Sequence, residues 1–207
     1  MKIIEPTFII ESSINSNEIL KHIEKVGRTA YKSEDGITND SAEKFVKMII
    51  ERDHLSVIEH YSITVRVICD RGVSHEIVRH RLASYTQEST RYCNYAKGKF
   101  GNEITVIKPC FWDENDKKYL IWKQTLEQIE LAYNKLIESG ASPQEARSIL
   151  PNSLKTEIVI TMNLREWLHF FTLRTSEAAH PQMREIAIPL LKEFQKKISV
   201  VFDGFDI

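Results

Sequence analysis

The sequence predicts an α+β fold, a single mixed α/β domain over residues 1–207. Segments with strand-like alternation are interleaved with segments whose apolar residues recur at helical spacing. No repeat, low-complexity tract or proline-rich linker divides the sequence. A length of 207 residues fits one domain with a hydrophobic core, or at most two small ones. One domain is therefore the simplest expectation.

The amino-terminal segment predicts a strand followed by a helix. Residues 5–12, EPTFIIES, indicate a short strand. Either Ser16 or Asn17 can cap the next helix, and a polar loop over 32–40 follows it. The apolar residues that give this helix its spacing are Ile19, Leu20, Ile23 and Val26.

A second helix and a half-buried strand are predicted next. Asp40, with Glu43 three residues later, resembles a capping box at a helix start. The apolar stripe of this helix consists of Phe45, Val46, Ile49 and Ile50. Residues 61–69, YSITVRVIC, alternate between apolar and polar side chains, as a half-buried strand does.

Residues 72–84, GVSHEIVRHRLAS, return to helical spacing, with Ser74 as the expected cap. This spacing places Arg79, His80 and Arg81 near the end of a short helix. We expect the hydroxyl-rich residues that follow to run into a loop.

The second half of the sequence continues the mixed order. Its expected elements are a strand over 103–109, a helix over 113–139 closed by Gly140, a helix with Ser142 as cap and Pro143 at its first position, a strand over 154–162, a helix capped by Asn163 with Glu166, and a final helix from Pro181. Within the helix after Asn163, the aromatic residues Trp167, Phe170 and Phe171 are expected in the core.

Charge and cysteine content limit the possible functions. The chain has 28 basic and 29 acidic residues, a net charge of -1, so bulk electrostatics favour neither a nucleic-acid nor a membrane partner. Cys69, Cys93 and Cys110 lack CxxC spacing, which disfavours a disulfide framework and a cysteine zinc site. No signal peptide is expected, and no apolar run approaches the roughly 20 residues of a membrane span. We therefore expect a cytoplasmic protein.

Most arginines and histidines fall in four segments at the ends of predicted strands or helices. These segments are 52–60 (RDHLSVIEH), 79–92 (RHRLASYTQESTRY), 145–151 (EARSILP) and 162–174 (MNLREWLHFFTLR). The planar guanidinium fork matches phosphate and carboxylate geometry, which lysine cannot reproduce. Ser89, Thr90 and Arg91 after a helix suit a phosphate, because they supply hydroxyls, backbone N–H groups and a charge. The sequence thus predicts a site for anionic ligands with more than one phosphate.

The second of these segments resembles the signature motif of the flavin-dependent thymidylate synthases. That motif is Arg-His-Arg, seven residues, then serine, here Arg79, His80, Arg81 and Ser89. The segments HLSVIEH, RSILP and MNLREWLHFFTLR are similar to other family segments, in the same order and spacing. The resemblance covers essentially the whole sequence.

The resemblance implies a homotetramer with active sites between subunits. Family members are methyltransferases that convert dUMP to dTMP. They take the methylene from methylenetetrahydrofolate and the reducing equivalents from NADPH through FAD. Carried over by motif, the FAD-binding residues are His54, Ser56, Glu59, Arg79, His80, Arg81, Gln87, Asn163, Arg165 and His169.

The resemblance also implies a substrate site. Its dUMP-binding residues are Glu76, Arg79, Gln87, Glu88, Ser89, Thr90, Arg91, Arg147 and Arg174. Ser89 and Arg91 lie at the phosphate, and Arg147 reaches the nucleotide from another subunit. Arg174 lies at the uracil ring as the catalytic residue. Glu76, Gln87 and His169 differ from the residues of some members, and we transfer no role to His180.

Two other function classes are compatible with parts of the sequence. Arg79–Arg81 with nearby tyrosines resembles the basic, aromatic surface of a nucleic-acid-binding module, but the neutral charge balance disfavours one. Several histidines suggest a metal-dependent nucleotide hydrolase, yet His75 and His80 are five residues apart and do not share a helical face. We therefore expect no metal site. The flavin route implied by the resemblance activates uracil without covalent attachment to the protein, so we also expect no catalytic cysteine.

Overall fold

The computed structural model describes residues 1–98, 101 and 103–205, in which strands and helices are interspersed along the chain. In chain order they are β1 (Lys2–Ile4), β2 (Thr7–Ile10), α1 (Ser16–Arg28), α2 (Ser41–Glu51), β3 (Ser62–Asp70), α3 (Arg71–Ile77), β4 (Ala83–Gln87), β5 (Thr105–Ile107), α4 (Lys117–Glu138), α5 (Pro143–Ala146), β6 (Lys155–Asn163), α6 (Leu164–Arg174), α7 (Pro181–Lys197) and α8 (Ser199–Phe202). Short 3₁₀ turns cover Thr29–Tyr31, Glu34–Gly36, Leu55–His60 and Arg147–Ile149. The mixed α/β class predicted from the sequence is confirmed.

The chain divides into two compact units. Unit one consists of Met1–Thr7, Val67–Arg79 and Thr86–Ile158, and unit two consists of Phe8–Arg66, His80–Tyr85 and Val159–Ile207. A four-stranded sheet has the order β2-β3-β6-β4, and the division falls within each of these strands. The single domain over 1–207 stays a prediction, and its last two residues lie outside the described part.

Unit one is built around α4 and a two-stranded parallel sheet. Strands β1 and β5 pair with Lys2 opposite Thr105 and Ile4 opposite Ile107. The core of this unit consists of Tyr95, Ile104, Val106, Leu126, Tyr133, Ala146 and Leu154. Gly140, with φ +93, follows α4 in the left-handed region that glycine tolerates, which confirms the predicted helix end.

Unit two has an aromatic core between α6 and α7. Trp167 lies 5.7 Å from Phe171 and 5.1 Å from Phe194, measured between ring centroids. The indole N–H of Trp167 donates to the Ile63 carbonyl at 3.1 Å, so its one polar atom is satisfied. Trp167, Phe170 and Phe171 are buried, which confirms their expected place in the core.

The alternation predicted for 61–69 appears in β3. Ile63, Val65, Val67 and Cys69 are at most 1 % exposed. Burial raises the pKa of the Cys69 thiol, which keeps it protonated and unreactive at neutral pH. This strand therefore uses Cys69 as a small apolar residue.

Several predicted caps are wrong, because an earlier residue takes the role at α1 and α3 and no side-chain cap bond forms at α2. Asn15 Oδ1 accepts from Glu18 N at 3.4 Å at the start of α1. Asp70 Oδ1 accepts from Val73 N at 2.7 Å at the start of α3, whereas Ser74 lies inside that helix. Asp40 precedes α2 without a side-chain cap bond, so the predicted capping box there is not formed.

The first part of the hydroxyl-rich stretch after Arg81, Ala83–Gln87, is a strand rather than the predicted loop, whereas Ser89, Thr90, Arg91 and Tyr92 lie in the turn that follows. Strand β4 alternates between half-buried and exposed residues, with Tyr85 half-buried and Ser84 and Thr86 exposed. The alternation was not visible in the sequence because polar residues occupy both faces. Helix α3 also ends at Ile77, so Arg79–Arg81 follow it instead of closing it.

A membrane-spanning helix is not found within residues 1–98, 101 and 103–205. None of the helices there combines the necessary length and apolarity.

Candidate functional site

The Ser89 turn (residues 89–91) follows β4 in unit one and gathers hydroxyl, amide and guanidinium groups. Ser89 Oγ accepts from Arg91 N at 3.2 Å, and the Ser89 carbonyl accepts from Cys93 N at 3.0 Å. Arg91 Nε donates to Gln144 Oε1 at 3.1 Å. These bonds hold Ser89 and a guanidinium in one turn, as an anion-binding site requires.

A charged network anchors the start of this turn. Glu88 accepts from Tyr95 Oη at 2.9 Å and from Lys155 Nζ at 2.7 Å. Lys155 also donates to Glu157 at 2.7 Å. Burial opposes the charged form of Lys155, but the bonds to Glu157 and Glu88 outweigh it and raise the pKa of Lys155. Glu88 therefore has two partners within unit one.

Gln87 also has partners within unit one. Its Nε2 donates to Ser74 Oγ at 2.9 Å and to Thr156 Oγ1 at 3.2 Å. These bonds join the end of β4 to α3 and β6. Its ligand roles inferred from the resemblance remain predictions.

The remaining predicted residues of unit one lie at element ends. Glu76 is half-buried in α3, and Arg79 is exposed two residues after that helix. Arg147 is exposed in the 3₁₀ turn after α5. Ser142 and Glu145 form a capping box, which fixes the helix start predicted at Ser142. Arg147 thus projects from a well-defined short helical segment.

The His80 cluster (His80, Glu166, His169 and Arg174) forms a second polar centre, in unit two. His80 Nδ1 lies 3.3 Å from Glu166 Oε1, and Arg174 Nε donates to His80 Nε2 at 3.0 Å. His80 is 3 % exposed and Glu166 is 6 % exposed. The His169 ring is exposed and meets the His80 ring edge-on, with centroids 5.5 Å apart.

The partners of His80 define its protonation state. The Arg174 guanidinium has only donors, so Nε2 must be the unprotonated nitrogen and Nδ1 carries the proton. Burial, with the positive charge of Arg174 and nearby His169, lowers the pKa of His80 to about 4. His80 is therefore neutral at physiological pH. A metal ion bound by His80, Glu166 and His169 would have to displace one of these hydrogen bonds.

The other residues of unit two that are predicted to bind flavin include Asn163 and Arg165, at the start of α6, and Arg81, before β4. Asn163 Oδ1 caps α6 by accepting from Glu166 N at 2.9 Å, as the sequence predicts. Arg165 pairs with Glu59 at 2.6 Å between exposed side chains. Arg81 is exposed in the segment before β4. The Arg165–Glu59 pair joins two of the predicted segments, 162–174 and 52–60.

A cavity of about 780 Å³ lies in unit two beside α1 and α2. Its lining includes His54 and Ser56, but not Glu59. Asp53, with φ 58, turns the chain after α2, and His54 follows it. The wall combines the aromatic and apolar residues Tyr31, Phe45, Met48, Ile49 and Val57 with the cations Arg28, Lys44 and Arg52.

One side of this cavity is held by a buried carboxylate. Glu24, 1 % exposed, accepts from Arg28 Nε at 2.8 Å and from Ser41 Oγ at 2.9 Å. The Arg28 guanidinium lies 5.0 Å from the Phe45 ring centroid. The charge of Arg28 is therefore paired, whereas no hydrogen bond or ion pair holds the side chains of Lys44 or Arg52 among the described residues.

Sequence patterns did not identify the partners that hold these sites. Glu166 was assigned only as a helix cap partner, and Glu24 and Lys155 were not selected. Each is an acidic or basic residue in an amphipathic element, and such residues are usually solvent-exposed. Nothing in the local sequence distinguishes their burial.

One family model matches most of the chain. The model described as Thy1, thymidylate synthase complementing protein, matches residues 13–198. Every site residue named from the resemblance lies within this range.

Curated relatives share the same name. The flavin-dependent thymidylate synthase of Pyrococcus furiosus is 36% identical over 172 residues, covering 83% of this chain and 70% of the relative. That of Geobacter sulfurreducens is 35% identical over 149 residues, covering 72% of this chain and 62% of the relative. That of Mycobacteroides abscessus is 33% identical over 202 residues, covering 89% and 79%. The match thus spans less than two thirds of the length of the Geobacter sulfurreducens relative.

A solved structure shows a similar fold. A UMP/dUMP methylase from Streptomyces cacaoi, bound with 5-Br dUMP, has a TM-score of 0.78 at 23% identity. The match covers 99% of this chain and 96% of that one. At this identity the likeness concerns the fold.

Proposed function

The chain belongs to the thymidylate synthase complementing protein family, and the relatives described above are named flavin-dependent thymidylate synthases. We propose that it converts dUMP to dTMP. Methylenetetrahydrofolate is the carbon donor, NADPH is the reductant and FAD is the flavin in this proposal. The protein is then a methyltransferase of nucleotide biosynthesis.

The observation that carries the proposal is the cavity of unit two. It is lined by His54 and Ser56, two of the residues expected to bind flavin, and by Lys44 and Arg52, two cations whose side chains have no hydrogen bond or ion pair in the described part of the chain. Apolar and aromatic walls with a few cations suit a nucleotide with phosphates. A volume of about 780 Å³ lies within the usual range for cofactor pockets. When bound, the flavin supplies the two-electron reducing chemistry that the side chains lack.

Unit one offers the features of a phosphate-binding turn. Ser89 provides a hydroxyl and Arg91 provides a fixed guanidinium, whose Nε is already oriented by Gln144. We assign the dUMP phosphate to this turn, because charge-assisted bonds to phosphate are the strongest that it can make. Because Gln87 and Glu88 are hydrogen-bonded to neighbouring side chains, we assign them the role of supporting this turn.

Arg174 is assigned to the uracil ring. Carbon C5 of uracil is a poor nucleophile until electron density moves into the ring. A guanidinium beside O2 and N3 favours the enolate-like form, since it places positive charge where negative charge develops. The bond to His80 uses only Nε of Arg174 and orients the guanidinium plane.

A homotetramer with active sites between subunits completes the proposal. Arg147, exposed after α5, is assigned to the nucleotide of a neighbouring subunit. Mixing the inactive variants Arg79→Ala and Arg165→Ala should restore partial activity if these residues serve one flavin from different chains. No recovery after verified subunit exchange would contradict the shared site.

The activity is tested with dUMP, methylenetetrahydrofolate and NADPH under anaerobic conditions, with dTMP measured by chromatography. Omission of any one substrate should abolish dTMP. The purified protein should be yellow, and its released cofactor should be FAD. Flavin-loaded protein that forms no dTMP would overturn the proposal.

Two variants test the cavity separately. His54→Ala with Ser56→Ala should lower flavin retention, measured by absorbance after gel filtration. His60→Ala is the matched control, because His60 is exposed in the same segment but does not line the cavity. Equal flavin retention by both proteins would remove the cavity from the assignment.

A further inference from the structure

We infer that Glu166 is a positioning residue: it keeps the His80 proton on Nδ1, so that Nε2 accepts from Arg174 and fixes the guanidinium. The inference rests on the proposed function, in which Arg174 acts at the uracil ring. Glu166 itself contacts neither substrate nor flavin in this assignment.

The geometry places His80 between the two charged residues. Glu166 lies in the first turn of α6 and Arg174 in the last turn of the same helix. The His80 ring joins them through Nδ1 to Glu166 at 3.3 Å and through Nε2 to Arg174 at 3.0 Å. The His80 carbonyl accepts from Tyr85 Oη, and the ring lies 4.9 Å from the Phe170 ring. His80 is therefore held on both its backbone and its ring.

The donor and acceptor roles in these two hydrogen bonds allow only one position for the proton of His80. A neutral imidazole has one donor and one acceptor nitrogen, and the partner of one nitrogen decides the state of the other. Without an acceptor at Nδ1, the Nδ1–H would be a buried donor with no partner, and this cost opposes the preference set by Arg174 and favours movement of the proton to Nε2. It would then face the Nε–H of Arg174, so two donors would oppose each other and the guanidinium would have to turn away. Loss of Glu166 thus disorients Arg174 without any direct contact.

This role needs a side-chain oxygen of Glu166 that accepts a hydrogen bond, and it does not need the negative charge. Burial raises the pKa of the Glu166 carboxyl. Both the ionised and the protonated carboxyl retain an oxygen that accepts from Nδ1–H. Glutamine offers the same acceptor, whereas leucine has a similar size and no acceptor. If Glu166 only stabilised α6, Glu166→Gln and Glu166→Leu would not differ in the position of the His80 proton.

The test compares these two variants by NMR and by turnover. Protein with ¹⁵N-labelled histidine reports which nitrogen of His80 carries the proton, with the signal assigned by its loss in His80→Asn. Wild type and Glu166→Gln should have the proton on Nδ1, and Glu166→Leu should have it on Nε2. Glu166→Leu should also lower kcat about 10- to 100-fold, with flavin content unchanged, and Glu166→Gln should restore most of that loss.

Three results would overturn the inference. They are a wild-type His80 with its proton on Nε2, a Glu166→Leu protein that keeps the proton on Nδ1, and equal kcat values for the two variants. If Glu166→Leu does not fold, Glu166→Ala removes the same acceptor with less steric change. Because the tautomer is measured without turnover, an inactive wild type would count against the proposed function alone.

Discussion

The Ser89 turn and the His80 cluster differ in the groups that surround their arginines. Arg91 and Arg174 each donate through Nε to a neutral acceptor, Gln144 and His80 respectively. Around the Ser89 turn, full charges meet opposite charges, as in the bridge of Lys155 to Glu88 and Glu157. In the His80 cluster, a neutral ring separates the Arg174 cation from the Glu166 carboxyl. Ion pairs can anchor a backbone that must bind an anion. A neutral acceptor at Nε orients the guanidinium plane, which suits the role proposed for Arg174, the stabilisation of developing negative charge.

Arg174→Lys should produce the largest effect. Lysine keeps the charge but loses the planar fork that His80 orients. We expect dTMP formation to fall about 100-fold or more, the scale of losing one transition-state donor, while folding and flavin binding remain intact. Rapid-mixing measurement of flavin oxidation by dUMP and methylenetetrahydrofolate gives the rate.

Arg66→Lys is the matched control for this change. Arg66 pairs with Glu11 at 2.6 Å through partly exposed side chains, and such pairs contribute little. Its turnover should stay within about twofold of wild type. Near-normal dTMP formation by Arg174→Lys would remove Arg174 from the chemistry.

Arg91→Ala tests the other half of the comparison. The loss of a charge-assisted phosphate contact should raise the KM for dUMP about 10- to 100-fold and change kcat much less. Gln144→Ala removes only the neutral partner of Arg91, so its effect on KM should be smaller. Steady-state kinetics over a range of dUMP concentrations separates the two parameters. Equal effects of the two substitutions would contradict direct phosphate binding by Arg91.

Lys155→Met should destabilise unit one. Methionine keeps the apolar stem but leaves Glu88, whose side chain is 13% exposed, without its cation. We expect a loss of about 1–3 kcal/mol in the free energy of unfolding, measured by urea titration. Adding Glu88→Gln should recover part of this loss, because the largely buried Glu88 side chain then carries no charge that needs Lys155. If Lys155→Met alone is as stable as wild type, the network does not anchor the turn.

The elements that the sequence predicted correctly depend on short-range signals. Asn163 and Glu166 are three residues apart, and Ser142 and Glu145 have the same spacing, so both caps are visible in the sequence. The His80 bonds join residues separated by 86 and 94 positions, and the Glu88–Lys155 bond spans 67. Pairing at such distances depends on the folded backbone, which local patterns do not specify. The family motif identified His80 and Arg174, but not the bond between them.

Acidification provides the most gradual test of the His80 cluster. The groups around the His80 ring and carbonyl are Arg174, Glu166, His169 and Tyr85. Because burial, Arg174 and His169 lower the pKa of His80 from 6.5 to about 4, the folded protein keeps this ring neutral over that interval. The unfolded chain takes up the proton below about 6.5, so it binds more protons than the folded state there.

The stability should therefore fall as the pH decreases from about 6.5 to about 4, by at most about 1.4 kcal/mol per pH unit from this group. The raised pKa of Glu166 has the opposite sign, since the folded state then binds its proton more readily than the unfolded chain. Glu166→Gln removes this opposing titration but keeps the acceptor for Nδ1–H. Its stability, measured by urea titration across this pH range, should fall more steeply than that of wild type. A slope equal to wild type, or an His80 ring that is protonated well above pH 4 by NMR, would contradict the neutral acceptor.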